Sequence, residues 1–155
     1  MSERRWTETT LDILKDFLTE KIEGYLQEIR NETTEELPAF SSIMIGQDYT
    51  KRGKVKPFIL IDPALNDIDE EGQGVISAAY QIDVLVVVDG YDDEIVSRRC
   101  MRYADAIQFC LLDDDTLDGE VYHCRVNSVE YFPGGSGNEK YALLSLTVMR
   151  EVPRR

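Results

Sequence analysis

From Thr9 to Arg30 the apolar residues Leu11, Leu14, Leu18, Ile22, Tyr25 and Ile29 recur every three or four positions. That spacing predicts a helix with one buried stripe, leaving Lys15, Glu20, Glu23 and Glu28 largely off it. Thr9, with Asp12 three residues later, has the form of a capping box in which Asp replaces the usual Glu. Gly24 weakens the interior by about 1 kcal/mol relative to Ala. The polar segment Asn31 to Pro38 breaks the period and reads as a connection.

The period then shortens. The apolar run Phe40 to Ile45 predicts a first strand continuing towards Tyr49, and Pro57-Phe58-Ile59-Leu60-Ile61-Asp62-Pro63 a compact second one with a proline at each end. Asn66 to Gly74 is acidic and glycine-containing, and reads as a mobile loop. The clearest strand is Ala78 to Val88. Tyr80, Ile82, Val84, Val86 and Val88 fall on one face, while Gln81, Asp83, Leu85 and Val87 fall on the other. The second face turns apolar only towards the end, so this strand should be central and covered on both sides there.

Asp92 has the chemistry of a helix N-cap, and Tyr91 and Val96 have the spacing of a hydrophobic staple. Val96, Cys100, Tyr103, Ile107, Cys110 and Leu111 then mark one helical face, with Arg98, Arg99, Arg102 and Asp105 opposite. Asp113-Asp114-Asp115-Thr116 should stop the helix. Glu120 to Tyr131 and Lys140 to Glu151 predict a long hairpin around the glycine-rich segment Pro133 to Asn138. The order helix, strand, strand, strand, helix, strand, strand is that of an α+β fold: a mixed, mostly antiparallel sheet with two main helices packed on it.

Composition narrows the class. The chain's 155 residues correspond to one domain, 1–155, and its 43% hydrophobic and 30% charged residues suit a soluble globular protein. No apolar run approaches the roughly eighteen residues of a membrane helix, and the first residues lack the apolar core of a secretion signal. Cys100, Cys110 and Cys124 are odd in number without C-x-x-C spacing, which argues against a disulfide framework or zinc and for a reducing, cytoplasmic setting. The net charge of −13 disfavours broad contact with nucleic-acid phosphates.

Residues capable of catalysis are few. His123 is the one histidine, in a strand pattern, and reads as a half-buried strand position. No serine lies in a G-x-S-x-G setting, and each cysteine falls at a position expected to be core. Asp113, Asp114 and Asp115 are the best candidates for a metal, yet consecutive residues cannot all point at one ion, and no glutamate follows at calcium-loop spacing. The glycines Gly72, Gly74 and Gly134 to Gly137 lack the strand-to-helix context of a phosphate loop. No cofactor or metal is expected.

Charge segregation is more informative. Lys51, Arg52, Lys54 and Lys56 form a basic run in an acidic protein, with Asp67, Asp69, Glu70 and Glu71 as an acidic counterpart. Such a chain can associate head to tail, and a closing rotation gives a ring. These eight residues are the candidate interface with another subunit or partner.

The segments Thr9–Arg30, Pro57–Ile61, Tyr80–Val88, Asp92–Leu112, Val121–Tyr131 and Tyr141–Val152, in that order, resemble the tail terminator (tail-to-head joining) proteins of long-tailed bacteriophages. The match is one of pattern and order along nearly the whole chain. The resemblance implies a structural protein without catalytic residues, forming a ring, usually hexameric, that caps the tail tube and joins it to the head. Implied partners are copies of itself, the tail tube protein and head-side connector proteins, with DNA only as passing cargo and no membrane. It would reside in the virion neck after assembly in the host cytoplasm. Two alternatives are a different neck protein (a head–tail adaptor or tail completion factor) and a metal-dependent hydrolase using Asp113 to Asp115.

Overall fold

The computed structural model describes residues 5–46, 56–69, 75–135 and 137–153. Helix α1 spans Trp6–Thr33, α2 spans Asp93–Asp113, and the strands are β1 (Ser42–Ile45), β2 (Phe58–Asp69), β3 (Val75–Val88), β4 (His123–Pro133) and β5 (Lys140–Pro153). They form one five-stranded sheet in the order β1-β2-β3-β5-β4, with β1 parallel to β2 and every other pair antiparallel. The α+β class and the element order are those the pattern predicts.

Both helices pack on one face of this sheet. Leu11, Leu14, Leu18, Ile22 and Leu26 of α1 and Val96, Cys100, Tyr103, Ile107 and Leu111 of α2 close over Ile59 and Ile61, over the even-numbered residues Tyr80 to Val88, and over Ala142, Leu144, Leu146 and Val148. All are buried, and each large aliphatic side chain so removed from water contributes about 1.5–3 kcal/mol. Among the described residues, the opposite face carries no helix. There the apolar end of β3, Leu85 and Val87, joins Phe58 and Leu60 in a second small cluster, flanked by Met44, Phe132, Tyr141 and Leu143. Burial of β3 on both sides near Val88 is therefore as the sequence predicts.

Several local expectations are overturned. Helix α1 starts at Trp6 with Arg5 as N-cap and no side-chain cap, so Thr9 and Asp12 are not a capping box. Tertiary contacts hold this end instead. Arg150 of β5 donates to the Trp6 carbonyl at 3.1 Å and to Thr10 Oγ1 at 2.8 Å. Asn66 to Asp69 are not loop but strand, paired with Tyr80 to Ser77, and Pro63 lies within β2 beside a register shift rather than ending it; residues 70–74 lie outside the described residues. Strand β1 stops at Ile45, where Gly46 takes φ +130, and residues 47–49 lie outside the described set. Asp92 does cap α2, accepting from Ile95 N at 3.1 Å, but Tyr91 is fully exposed and makes no staple. Gly90 packs on Val96 instead; a Cβ there would lie 2.9 Å from Val96 Cγ2.

The polar connection after α1 is tightly held. Thr34 adopts the left-handed conformation that commonly closes a helix, with φ 55. Arg30 Nε donates to the Leu37 carbonyl at 2.6 Å, and the Tyr103 hydroxyl donates to the Pro38 carbonyl at 2.6 Å. Phe40 rests on the Tyr103 ring. Replacing Tyr103 with Phe should cost about 1 kcal/mol by orphaning that carbonyl, whereas Ile107→Ala should cost about 2–5 kcal/mol, both read from denaturant midpoints.

Candidate assembly surface

Among the described residues, a sheet covered on one face leaves three uncovered surfaces: two edges and the bare face. The edges are β1, four residues long, and β4, eleven residues long. Unpaired N–H and C=O groups along such an edge are a template for another chain. On the bare face the apolar cluster gives way to polar residues. Asp62 and Asp83 stand opposite each other on β2 and β3. Burial pushes both carboxyls above their ordinary range, and the Asp83 charge raises Asp62 further. Gln81, Thr147, Asn127 and Arg125 form a hydrogen-bonded chain across β3, β5 and β4. Thr147 donates to Gln81 at 3.0 Å, Asn127 Nδ2 to Thr147 at 2.7 Å, and Arg125 Nε to Asn127 Oδ1 at 2.9 Å.

Farther along this face a groove of about 560 Å³ is lined by Asp67, Asp69, Ser77, Tyr122, Met149 and Glu151, among others. Two of the expected interface residues, Asp67 and Asp69, therefore sit exposed on its wall, beside the exposed apolar groups Ile68, Tyr122 and Met149. Lys51, Arg52, Lys54, Glu70 and Glu71 lie outside the described residues.

Lys56, the last member of the basic run, is engaged within the chain. Its Nζ lies 2.6 Å from Glu139 Oε2 and 3.6 Å from Asp89 Oδ2. Glu139 is buried and also accepts from Tyr141 Oη at 2.7 Å and Gly135 N at 3.1 Å. Burial alone would raise the Glu139 carboxyl. The hydrogen bonds from Lys56, Tyr141 and Gly135, with the Lys56 charge, outweigh it and hold the carboxyl below its usual range. Lys56 is correspondingly raised, chiefly by its hydrogen bond to Glu139. Gly134 is required here, because a Cβ would fall 2.5 Å from Glu139 Cγ. Sequence reading missed this clamp, since nothing local links position 56 to position 139.

The residues with catalytic potential are dispersed. Asp113 Oδ2 accepts from Tyr25 Oη at 2.7 Å, Asp114 accepts from Thr116 and Asp118 in a local turn, and Asp115 Oδ2 lies 3.0 Å from His123 Nδ1. No group of three or more metal-ligating side chains occurs among the described residues. His123 is half-buried at the first position of β4. Cys124 is its neighbour in the strand, so the two side chains leave opposite faces and form no thiol–imidazole pair. Burial raises the Cys100 thiol to about 11, and those of Cys110 and Cys124 to about 12, so all three stay protonated and unreactive near neutrality. No helix among the described residues is long and apolar enough to cross a membrane.

No protein-family model matches the chain, and no curated protein matches it. Among solved structures, a chain from one described as "Virion of native gene transfer agent (GTA) particle" is similar to it, with a TM-score of 0.44 and 9% identity over 74% of this chain and 80% of that one. A likeness of that size carries no argument about function.

Two opposed pH effects follow. Glu139 has a depressed folded pKa, so its stabilisation is present above the ordinary Glu value and is lost as pH falls through the folded one. Glu139→Gln should lower the thermal midpoint at neutral pH, and that deficit should shrink on acidification. Asp83 has a raised folded pKa, so its charge costs stability once ionised. Asp83→Asn should stabilise by about 0.5 kcal/mol at neutral pH, with the gain vanishing as pH drops below the ordinary Asp range.

Proposed function

We propose that this protein is a structural component of a long-tailed, phage-type virion, forming a hexameric ring that caps the finished tail tube and joins it to the head. Its partners would be copies of itself, the tube protein and head-side connector proteins, with DNA passing through the lumen. The observation that best supports this reading is the acidic, partly apolar groove at the end of the bare sheet face, set in a chain whose basic run is concentrated at Lys51, Arg52 and Lys54. Opposite charges borne by one chain favour head-to-tail contact between copies, which closes into a ring when the rotation per step permits. Lys56 takes little part in such a contact, because Glu139 and Asp89 already hold it.

A metal-dependent hydrolase built on Asp113, Asp114 and Asp115 is disfavoured because the three carboxylates turn to three different partners. A role without catalysis fits the committed carboxylates and the protonated thiols better.

Reversing Lys51, Arg52 and Lys54 to Glu should abolish rings in negative-stain images of the purified protein while leaving its circular dichroism unchanged. Adding Asp67→Lys and Asp69→Lys to that variant should restore them. Tails assembled without the protein should lose length control and fail to join heads. Tails of normal length made in its absence would assign it to another neck position and sink the proposal.

A further inference from the structure

We propose that the β4 edge is a self-complementary contact, pairing β4 of one copy with β4 of a second copy, antiparallel, about a twofold axis between Asn127 and Ser128. The starting observation is a register shift. The pairing of β4 with β5 slips between Val126 and Ser128, which marks a bulge at Asn127. Arg125 and Glu130 are an odd number of residues apart, so in a regular strand they would face opposite sides. The bulge corrects this: Arg125 pairs with Thr147 and Glu130 with Leu143, two positions on the bare face of β5. Both charges therefore stand on one face of an exposed edge.

An antiparallel pair centred between Asn127 and Ser128 sets Arg125 opposite Glu130 of the second copy, and the twofold axis repeats the contact in reverse. On the other face it sets Val126 opposite Val129. Oppositely charged residues directly across an antiparallel pair stabilise it, and like charges destabilise it. Arg125 is already oriented, since Asn127 accepts its Nε–H and is itself held through Thr147 to Gln81. Glu130 is exposed and forms no ion pair with any described residue. Charges on a bare edge ordinarily discourage pairing. Here the two charges meet their opposites only in the self-complementary register, and registers that set Arg125 against Arg125 or Glu130 against Glu130 are disfavoured.

Helix α2 extends the same symmetry. It runs antiparallel to β4: Cys100 and Met101 share a small cavity with Tyr131 and Phe132, while Gln108 and Leu112 share another with His123 and Val126. These cavities measure about 220 and 170 Å³. Met101, Phe109 and Leu112 lie along one side of α2 and are 45%, 52% and 74% exposed, with Tyr131 at 48%. The twofold axis that pairs the strands carries Phe109 and Leu112 of one copy towards Met101 and Tyr131 of the other. An apolar stripe with cavities near both ends then meets its own inverse, as an isologous interface requires. The contact does not rest on the ring reading: β2, which bears Asp67 and Asp69, lies three strand spacings from β4, roughly 14 Å across the sheet.

Sedimentation equilibrium and native mass spectrometry test this on the full chain with Lys51, Arg52 and Lys54 reversed to Glu, which removes the proposed ring contact and leaves β4 unchanged. Arg125→Glu and Glu130→Arg each create two like-charge contacts and should each weaken the dimer about tenfold or more, whereas an equimolar mixture of the two should form the mixed dimer in preference to either homodimer. Leu112→Asp, at an exposed position, should weaken the dimer without altering circular dichroism. A ring-free protein of this kind that stays monomeric to about 1 mM overturns the proposal, as does a mixture with no preference for the mixed dimer. Charge variants that keep full self-association but lose binding to tails would assign the edge to another protein and overturn it equally.

Discussion

The even-numbered face of β3, from Tyr80 to Val88, has to be kept from water, and both helices are placed by that requirement. Helix α1 covers it from the β2 side and α2 from the β5 side, so one apolar core joins helix, helix and sheet. Because both helices are used on that side, the other side of a five-stranded sheet is left with only a small cluster around Leu85 and Val87. A chain folded this way solves its core problem on one face and, among the described residues, leaves the other face and both edges uncovered.

Electrostatics divides by burial. Where a charge is buried it is answered within the chain: Glu139 takes donors from Lys56, Tyr141 and Gly135, and Arg150 ties the end of β5 to the first turn of α1. On the bare face the carboxylates of Asp62 and Asp83 face each other with raised proton affinity, an arrangement that weakens the isolated subunit. Like charges directly opposed across a ladder do not help folding. They stand on the face that, among the described residues, lacks a helix.

The edges show the same restraint. A long bare edge invites indiscriminate pairing, and natural sheets limit it with bulges, charges and prolines. Strand β4 has all three, in Asn127, in Arg125 with Glu130, and in Pro133 at its end. These features leave few registers open, which is the condition for specific rather than aggregating association.

The primary sequence by itself determined both helices, the identity of β3, the face of α2 that is buried and the N-cap at Asp92, because each depends on period or on a contact within one turn. Only the tertiary structure decided that Asn66 to Asp69 continue a strand, since polar residues become strand when a partner such as β3 offers a ladder. It also decided that Arg5, not Thr9, precedes α1, and that Tyr91 leaves Val96 to Gly90. The clamp between Lys56 and Glu139 and the shared face of Arg125 and Glu130 were likewise invisible along the chain. Each arises from pairing between distant segments, and no local pattern encodes which segment the sheet will bring alongside.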